Sequence, residues 1–265
     1  MAEVDVELVA AGYDAVYTGI ARSPSFLRLW REHSLGDDYP EGYEHISFLT
    51  FTEMRWMAQT LRLSAGGVLA DIACGMGGPG LWIARTTGAQ LVGVDISLVA
   101  LEHARQRAVG LQSIEARFVP GTFADTTLAT GSADGVMTVD ALQYAPDKQA
   151  AVDEAARVLR PRGHFVFACF TFEPERVAGV PIMGTDPIAD YRPLLEKSAF
   201  DVLAYDESEN WEARVRRTYQ AVIDAKQELT AELGVGAYAA LSGEMSLTLQ
   251  LRPYRNRVLV AARKR

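Results

Sequence analysis

Residues 68–80 read VLADIACGMGGPG, and this stretch decides the fold. A short apolar run, Val68–Ile72, leads into a segment with glycine at four of the six positions 75–80, and residues compatible with a helix follow. This order predicts a strand, a glycine turn and a helix. Backbone N–H groups at such a turn, together with the positive end of the helix, point at whatever binds there. We therefore expect a ligand site at the end of this strand.

The same alternation of strand and helix continues along the chain. Apolar runs predict further strands at 90–94, 116–119, 135–139, 164–170, 200–205 and 257–263, and helical periodicity predicts helices at 98–110 and 148–159. Strands that alternate with long helices predict right-handed crossovers and a parallel sheet covered on both faces. The predicted fold class is α/β, with a seven-stranded, Rossmann-like, mostly parallel sheet, helices on both faces, a helical N-terminal cap and a helical insertion before the last strand.

Composition divides the chain into three parts. Residues 1–62 are rich in aromatic side chains and are predicted to form a helical cap or lid. Residues 63–171 form the predicted Rossmann-like core with the cofactor site. Residues 172–265 complete the core after a proline-rich loop. There, a long helix with apolar residues every three or four positions from Trp211 to Leu229 is expected either to pack into the core or to cover a substrate.

The charge balance and the cysteine content narrow the class of protein. Lys and Arg number 26 against 34 Asp and Glu, a net charge of −8 with a pI near 5.1, so the basic surface typical of nucleic-acid-binding proteins is not expected. No apolar run approaches the roughly 18 residues that cross a bilayer. Met1–Glu7 carries three acids and no base, unlike a signal peptide. We expect a cytoplasmic protein without nucleic-acid or membrane partners, with reduced, buried Cys74 and Cys169; a homo-oligomer stays open.

Two charged clusters invite other interpretations. The acidic loop 36–41 matches no known spacing of metal ligands, so no metal is predicted. Basic residues also cluster near the C-terminus, and we expect them to lie on a solvated edge strand. They are Arg252, Arg255, Arg257, Arg263, Lys264 and Arg265.

The glycine turn and the next strand together indicate an adenosine cofactor. The spacing Gly75-x-Gly77-x-x-Gly80 alone is a weak match to a dinucleotide fingerprint. Asp95 ends the second predicted strand, where a carboxylate can accept both hydroxyls of a ribose. These residues by themselves fit a nicotinamide dinucleotide and S-adenosylmethionine equally.

Four stretches taken together resemble the successive motifs of class I S-adenosylmethionine-dependent methyltransferases. They are residues 68–78, 91–97, 131–144 and 158–163, with sequences VLADIACGMGG, LVGVDIS, GSADGVMTVDALQY and VLRPRG. Their order and spacing are similar to those of the ubiquinone-biosynthesis-like branch, which contains many bacterial small-molecule and natural-product enzymes. The resemblance covers residues 65 to 171 and implies S-adenosylmethionine as the cofactor.

The resemblance also implies a role for each motif residue. Asp71, Ala73, Gly75 and Gly77 would surround the methionine end of the cofactor, Asp95 and Ile96 the ribose, Gly121, Thr122 and Phe123 the adenine, and Asp140 would lie beside the sulfonium. Two positions depart from the family pattern. Ala73 replaces the first glycine of the turn, which narrows the backbone freedom there. Thr122 replaces the usual acid, so adenine contacts would come from backbone groups, the Thr122 hydroxyl or Asp125.

Candidate catalytic and substrate residues come from the cap and from the segment after the fourth strand. Methyl transfer from a sulfonium is an in-line displacement that needs alignment, exclusion of water and, for some acceptors, removal of a proton. His45 is the preferred general base and His33 the second candidate, because both lie close in sequence to the predicted lid loop. The remaining candidates are Tyr13 for catalysis and Tyr17, Gln143 and Tyr144 for substrate contacts, although the tyrosines could equally fill an aromatic cap.

Three functions stay open on the sequence. The first is a methyltransferase that acts on O, N or C of a small molecule in bacterial-type secondary metabolism. The second is a nicotinamide-dependent oxidoreductase. The third is a methyltransferase-fold protein with a non-methylating role, as a cyclase or a binding module.

Overall fold

The computed structural model describes residues 6–111, 114–178 and 186–265. Part of the acidic N-terminus and part of the predicted proline-rich loop, including Pro181, lie outside these ranges. Seven strands within the described residues form one sheet in the order β3-β2-β1-β4-β5-β7-β6. The strands are β1 Val68–Ile72, β2 Gln90–Asp95, β3 Ala116–Pro120, β4 Ala133–Val139, β5 Leu159–Phe172, β6 Phe200–Glu207 and β7 Arg255–Lys264. Only β7 runs antiparallel to its neighbours, which confirms the predicted mostly parallel sheet.

Helices cover both faces of this sheet. The helices of the described chain are α1 Val6–Ala21, α2 Pro24–Trp30, α3 Phe51–Leu61, α4 Gly78–Thr87, α5 Leu98–Gly110, α6 Lys148–Val158, α7 Pro174–Val177, α8 Arg192–Lys197, α9 Trp211–Asp224, α10 Lys226–Leu233 and α11 Val235–Gln250. Leu81 of α4 and Leu101 of α5 are buried in the core of one face, and Val152 of α6 and Leu195 of α8 in that of the other. Because β1 to β5 are parallel, their carboxyl ends lie along one edge of the sheet, where ligands of such folds bind.

The sequence predicted one long helix after residue 210, but the structure has two shorter helices there. Ala225 separates α9 from α10, so the chain bends where the periodicity alone predicted a continuous helix. The bend lets α10 dock on α2, because the Ser25 hydroxyl donates to Glu228 at 2.7 Å and the Ser23 hydroxyl to Glu232 at 2.5 Å. A tertiary contact therefore overrides the local pattern.

The N-terminal cap and the insertion pack together as one aromatic layer. The Trp30 ring stacks on Phe26, with centroids 5.3 Å apart, and meets Phe48 at 5.3 Å and Tyr219 of α9 at 6.2 Å. Aromatic pairs at these separations add stability beyond the area they bury. The two segments predicted to enclose a substrate thus support each other. None of the helices in the described ranges is long and apolar enough to span a membrane.

Candidate active site

The glycine turn after β1 adopts the left-handed backbone that its sequence predicts. Gly75 has φ +52° and Gly77 has φ +76°, a region that side chains other than glycine rarely occupy. Ala73 also lies there, with φ +59°, so the alanine that replaces the family's glycine holds the same backbone shape at some cost in strain.

Asp95 stands beside this turn at the end of β2. Its carboxylate is buried and accepts the Gly75 N–H at 2.7 Å and the Ser97 N–H at 2.9 Å. Burial raises the pKa of Asp95, while these backbone donors lower it. Each carboxylate oxygen can accept a further hydrogen bond, so ribose hydroxyls fit here.

Two tyrosines of α1 lie over the turn and Asp95. A Cβ atom placed on Gly75 would come within 2.6 Å of the Tyr17 hydroxyl. Burial raises the pKa of Tyr13 and of Tyr17, and the charge of Asp95 adds to both shifts. Tyr17 therefore lies on the cofactor side of the site, whereas the sequence predicted a substrate contact. That prediction and the catalytic role of Tyr13 stay predictions.

The segment between α2 and α3 closes the other side of the turn. A Cβ atom on Gly78 would lie 2.2 Å from the carbonyl oxygen of Tyr43, so the first turn of α4 touches this segment directly. Arg107 of α5 donates to the carbonyls of Glu44 at 3.0 Å and of Met76 at 2.9 Å. Asp71 is buried beneath the start of α4, in contact with the position that a Cβ on Gly80 would occupy.

His45 lies inside this segment as a neutral, weakly basic imidazole. Its Nδ1 accepts the Ser47 N–H at 3.1 Å, and its ring meets the edge of Tyr39 at 5.0 Å. Burial lowers the pKa of His45 to about 3, and the charges of Arg107 and Arg257 add to this. Because a general base works best with a pKa near the working pH, this environment argues for another proton acceptor. The catalytic role of His45 stays a prediction.

His33 lies on a π-helical turn, Arg31–Leu35, next to α9. Arg217 donates to the His33 carbonyl at 3.0 and 3.2 Å. The two predicted histidines therefore occupy different structural settings, and the role of His33 as a base stays a prediction.

The predicted adenine turn follows β3 next to Asp95. The Gly121 N–H donates to the backbone carbonyl of Asp95 at 3.1 Å. Phe123, two residues after Gly121, and Ile96, directly after Asp95, are both half-buried. The Thr122 hydroxyl accepts the Asp125 N–H at 3.1 Å. Thr122 thus shapes the turn with its side chain, so backbone groups are the better candidates for an adenine edge.

Asp140, at the end of β4, belongs to a buried ion network. Its carboxylate accepts from Arg257 Nε at 2.8 Å and from the Phe48 N–H at 2.7 Å. Arg257 is fully buried and also donates to Glu53 at 2.9 Å, which Arg214 meets at 3.4 Å. The prediction of a solvated edge strand is wrong, because β7 lies between β5 and β6 and its Arg257 is fully buried. The cofactor contact of Asp140 stays a prediction.

A cavity of about 20 Å³ opens at the same edge of the sheet. It is lined by residues from five elements: Gln143, Tyr144, Phe170, Phe172, Tyr219, Glu244, Thr248 and Arg255. Gln143 is fixed by donating to the Asp140 carbonyl at 2.6 Å and by accepting the Phe170 N–H at 3.3 Å. Tyr144 leaves 45% of its surface accessible. The two residues predicted to bind substrate after the fourth strand therefore do line a cavity.

Tyr144 connects this cavity to the cofactor turn. Tyr144 is close enough to Tyr13 and to Tyr219 to add to the rise in pKa that burial causes in each of them. Partial burial raises the pKa of Tyr144 itself, and Glu244 adds to this rise. Asp95 also acts on Tyr13, so this tyrosine lies near both the predicted ribose acid and the cavity residue Tyr144.

The site predicted from the sequence did not include Glu244, Tyr219 or Arg255. Tyr219 was one apolar position of a predicted helix, and Arg255 belonged to a basic tail. Glu244 lies on α11, 100 residues after Tyr144, and no local pattern connects the two. Their convergence depends on the packing of α9, α11 and β7.

Comparison with known proteins gives three findings. A family model described as a methyltransferase domain matches residues 70–167. Methyltransferase GfsG of Streptomyces halstedii is 33% identical over 191 residues, which are 66% of this chain and 66% of the relative, so the chain spans just under two thirds of its length. The 27-O-demethylrifamycin SV methyltransferase of Amycolatopsis mediterranei is 28% identical, with 90% of this chain and 93% of the relative covered.

The fold is also shared with solved structures. The [4+2]-cyclase SpnF superposes with a TM-score of 0.75 at 18% identity, covering 97% of this chain and 94% of that chain. At this level of identity the similarity shows the fold alone.

Proposed function

The chain belongs to the class I S-adenosylmethionine-dependent methyltransferases, in their natural-product branch, and we propose that it methylates O, N or C of a small-molecule acceptor. The observation that carries this proposal is the buried Asp95 carboxylate at the end of β2, which accepts the N–H of Gly75 in the left-handed glycine turn. The bound cofactor supplies an electrophilic methyl group on its sulfonium. The chain's own residues align the acceptor, exclude water and receive any released proton.

We propose that the glycine turn and Asp95 hold the cofactor, and that Tyr13 and Tyr144 orient the reacting atom of the acceptor. Since burial raises the pKa of Tyr13, its hydroxyl stays protonated at neutral pH and serves as a hydrogen-bond donor. Glu244 is the acid that lines the cavity; the residue is exposed at its surface, and partial desolvation of its carboxylate raises its pKa. A carboxylate with a raised pKa is a better base near neutrality than an imidazole with a pKa of about 3. We therefore assign proton removal to Glu244.

The expected setting is a cytoplasmic enzyme of secondary metabolism that needs no metal, nucleic acid or membrane partner, with a homo-oligomer left open. Formation of S-adenosylhomocysteine over a panel of hydroxyl, amine and carbon acceptors tests the reaction. Release of product without consumption of S-adenosylmethionine would support a cyclase or binding role instead. Consumption of reduced nicotinamide would support an oxidoreductase.

Asp95→Ala should weaken binding of S-adenosylhomocysteine. The change leaves two ribose hydroxyls without a charged acceptor, which costs about 1.5 to 3 kcal/mol, or roughly tenfold to more than a hundredfold in affinity. Calorimetry measures the effect, with Asp201→Ala on the distant strand β6 as the control. Unchanged affinity in a variant that melts like the wild type would contradict the assignment of Asp95.

Helix α1 should be the part of the cap that opens. Ile20 is its one fully buried residue, Tyr13 and Tyr17 are half-buried, and Val6 and Leu8 are exposed. The helix is held at its middle by Asp14, which accepts from Ser97 Oγ at 2.6 Å. Catalysis in a closed site needs such a segment to admit substrate. Hydrogen exchange in residues 6–21 should be faster than in the sheet and should slow when S-adenosylhomocysteine binds. Equal protection with and without this ligand would rule out a lid.

A further inference from the structure

Arg255 presents two unused donors inside the cavity. Its Nε and Nη2 atoms are buried and have no hydrogen-bond partner among the described residues. The guanidinium carbon lies 4.8 Å from the Phe170 ring centroid and 5.5 Å from that of Trp211, so the group packs against both aromatic rings. A buried donor without a partner is costly and calls for an explanation.

The two free donors belong to the same edge of the guanidinium. Nε–H and Nη2–H point in parallel, and this edge binds a planar two-oxygen anion through two hydrogen bonds. The rings of Phe170 and Trp211, which meet edge to face at 77°, both lie near the guanidinium and restrict its movement. A ligand that enters the cavity would therefore meet a preformed bidentate site.

No acid among the described residues forms an ion pair with this cation. Burial lowers the pKa of Arg255, and its neighbouring acids are already paired: Asp140 with Arg257 at 2.8 Å and Glu212 with Arg252 at 3.0 Å. Glu244 lines the same cavity but forms no ion pair with Arg255 within 4 Å among the described residues. Arg255 therefore keeps two charged donors at the cavity wall for an anionic ligand group.

We propose that the acceptor carries a carboxylate that enters this cavity and binds side-on to Nε and Nη2 of Arg255. The cavity, at about 20 Å³, takes a group of the size of a carboxylate, so the body of the acceptor would lie outside it. The proposal rests on the proposed function, because it treats the cavity as part of the acceptor site. The carboxylate at Arg255 would leave the nucleophilic end of the acceptor on the side of the partly exposed Tyr144. The substrate class is thus a hydroxy or amino carboxylic acid.

Calorimetric titration of the protein saturated with S-adenosylhomocysteine tests this proposal. The probes are 4-hydroxybenzoate, the isosteric 4-hydroxybenzamide, and phenyl phosphate. A charge-assisted bidentate pair should make the carboxylate bind about tenfold to a hundredfold more tightly than the amide. In Arg255→Gln this preference should disappear, and in Arg255→Lys it should be reduced, because lysine keeps the charge without the fork.

Arg252→Gln is the matched control. Arg252 lies three positions before Arg255, pairs with Glu212 and does not line the cavity. It should keep the carboxylate preference, and all variants should bind S-adenosylhomocysteine as the wild type does. Equal affinity for acid and amide, a preference that survives in Arg255→Gln, or tighter binding of phenyl phosphate would overturn the proposal. A carboxylate preference without methyl transfer to any acceptor would contradict only the proposed function, and methyl transfer to neutral acceptors alone would contradict only the role of Arg255.

Discussion

Arg257→Met lowers the free energy of unfolding by about 3 to 5 kcal/mol, because it leaves the buried carboxylate of Asp140 without a cation and leaves Glu53 with Arg214 at 3.4 Å. Arg257 has no exposed surface and donates to Asp140 at 2.8 Å and to Glu53 at 2.9 Å. Methionine fills similar space, so the loss reflects charge more than packing. Urea denaturation should show a lower midpoint with an unchanged slope.

Arg263→Met on the same strand is the control for this prediction. Arg263 pairs with Asp201 at 3.4 Å, and both side chains are more than 40% exposed. Exposed pairs contribute about 0 to 1 kcal/mol, so this variant should unfold nearly as the wild type does. If Arg257→Met lowers the free energy of unfolding no more than Arg263→Met does, the buried ion network of Arg257, Asp140 and Glu53 does not stabilise the fold as inferred.

Glu244→Gln lowers kcat by about two to four decades for an acceptor that must lose a proton, the range typical of a general base. His45→Ala should keep kcat within about tenfold, because an imidazole with a pKa of about 3 accepts protons poorly. Since a base acts in its deprotonated form, kcat/KM of the wild type should fall as the pH drops through the raised pKa of Glu244. This acid limb should vanish in Glu244→Gln.

The measurement is S-adenosylhomocysteine formation between pH 5 and 9. Both variants should bind the cofactor product with wild-type affinity, which separates a loss of chemistry from a loss of fold. Partial activity in Glu244→Asp would support a carboxylate base. A loss of two to four decades in His45→Ala with little change in Glu244→Gln would instead establish His45 as the base.

The sequence by itself determined the cofactor half of the molecule. The order from β1 through the turn at Gly75 to α4 and Asp95 depends on residues close in the chain, and local backbone preferences act over such distances. β1 and α5 have the bounds predicted from periodicity. β5 and β7 are longer than predicted, because their antiparallel pairing extends to Phe172 and Arg255 and because β5 already pairs with β4 at Leu159. The class of fold therefore follows from local patterns.

Tertiary structure alone decided the acceptor half. Tyr219, Glu244 and Arg255 come from α9, α11 and β7, and only packing of these elements brings them into one cavity. The low pKa of His45 and the full burial of Arg257 likewise depend on what surrounds each side chain in space. Hydrophobic periodicity specifies which face of an element turns inward but not which distant residue it meets. The charge, protonation and partners of the site are therefore set by long-range packing.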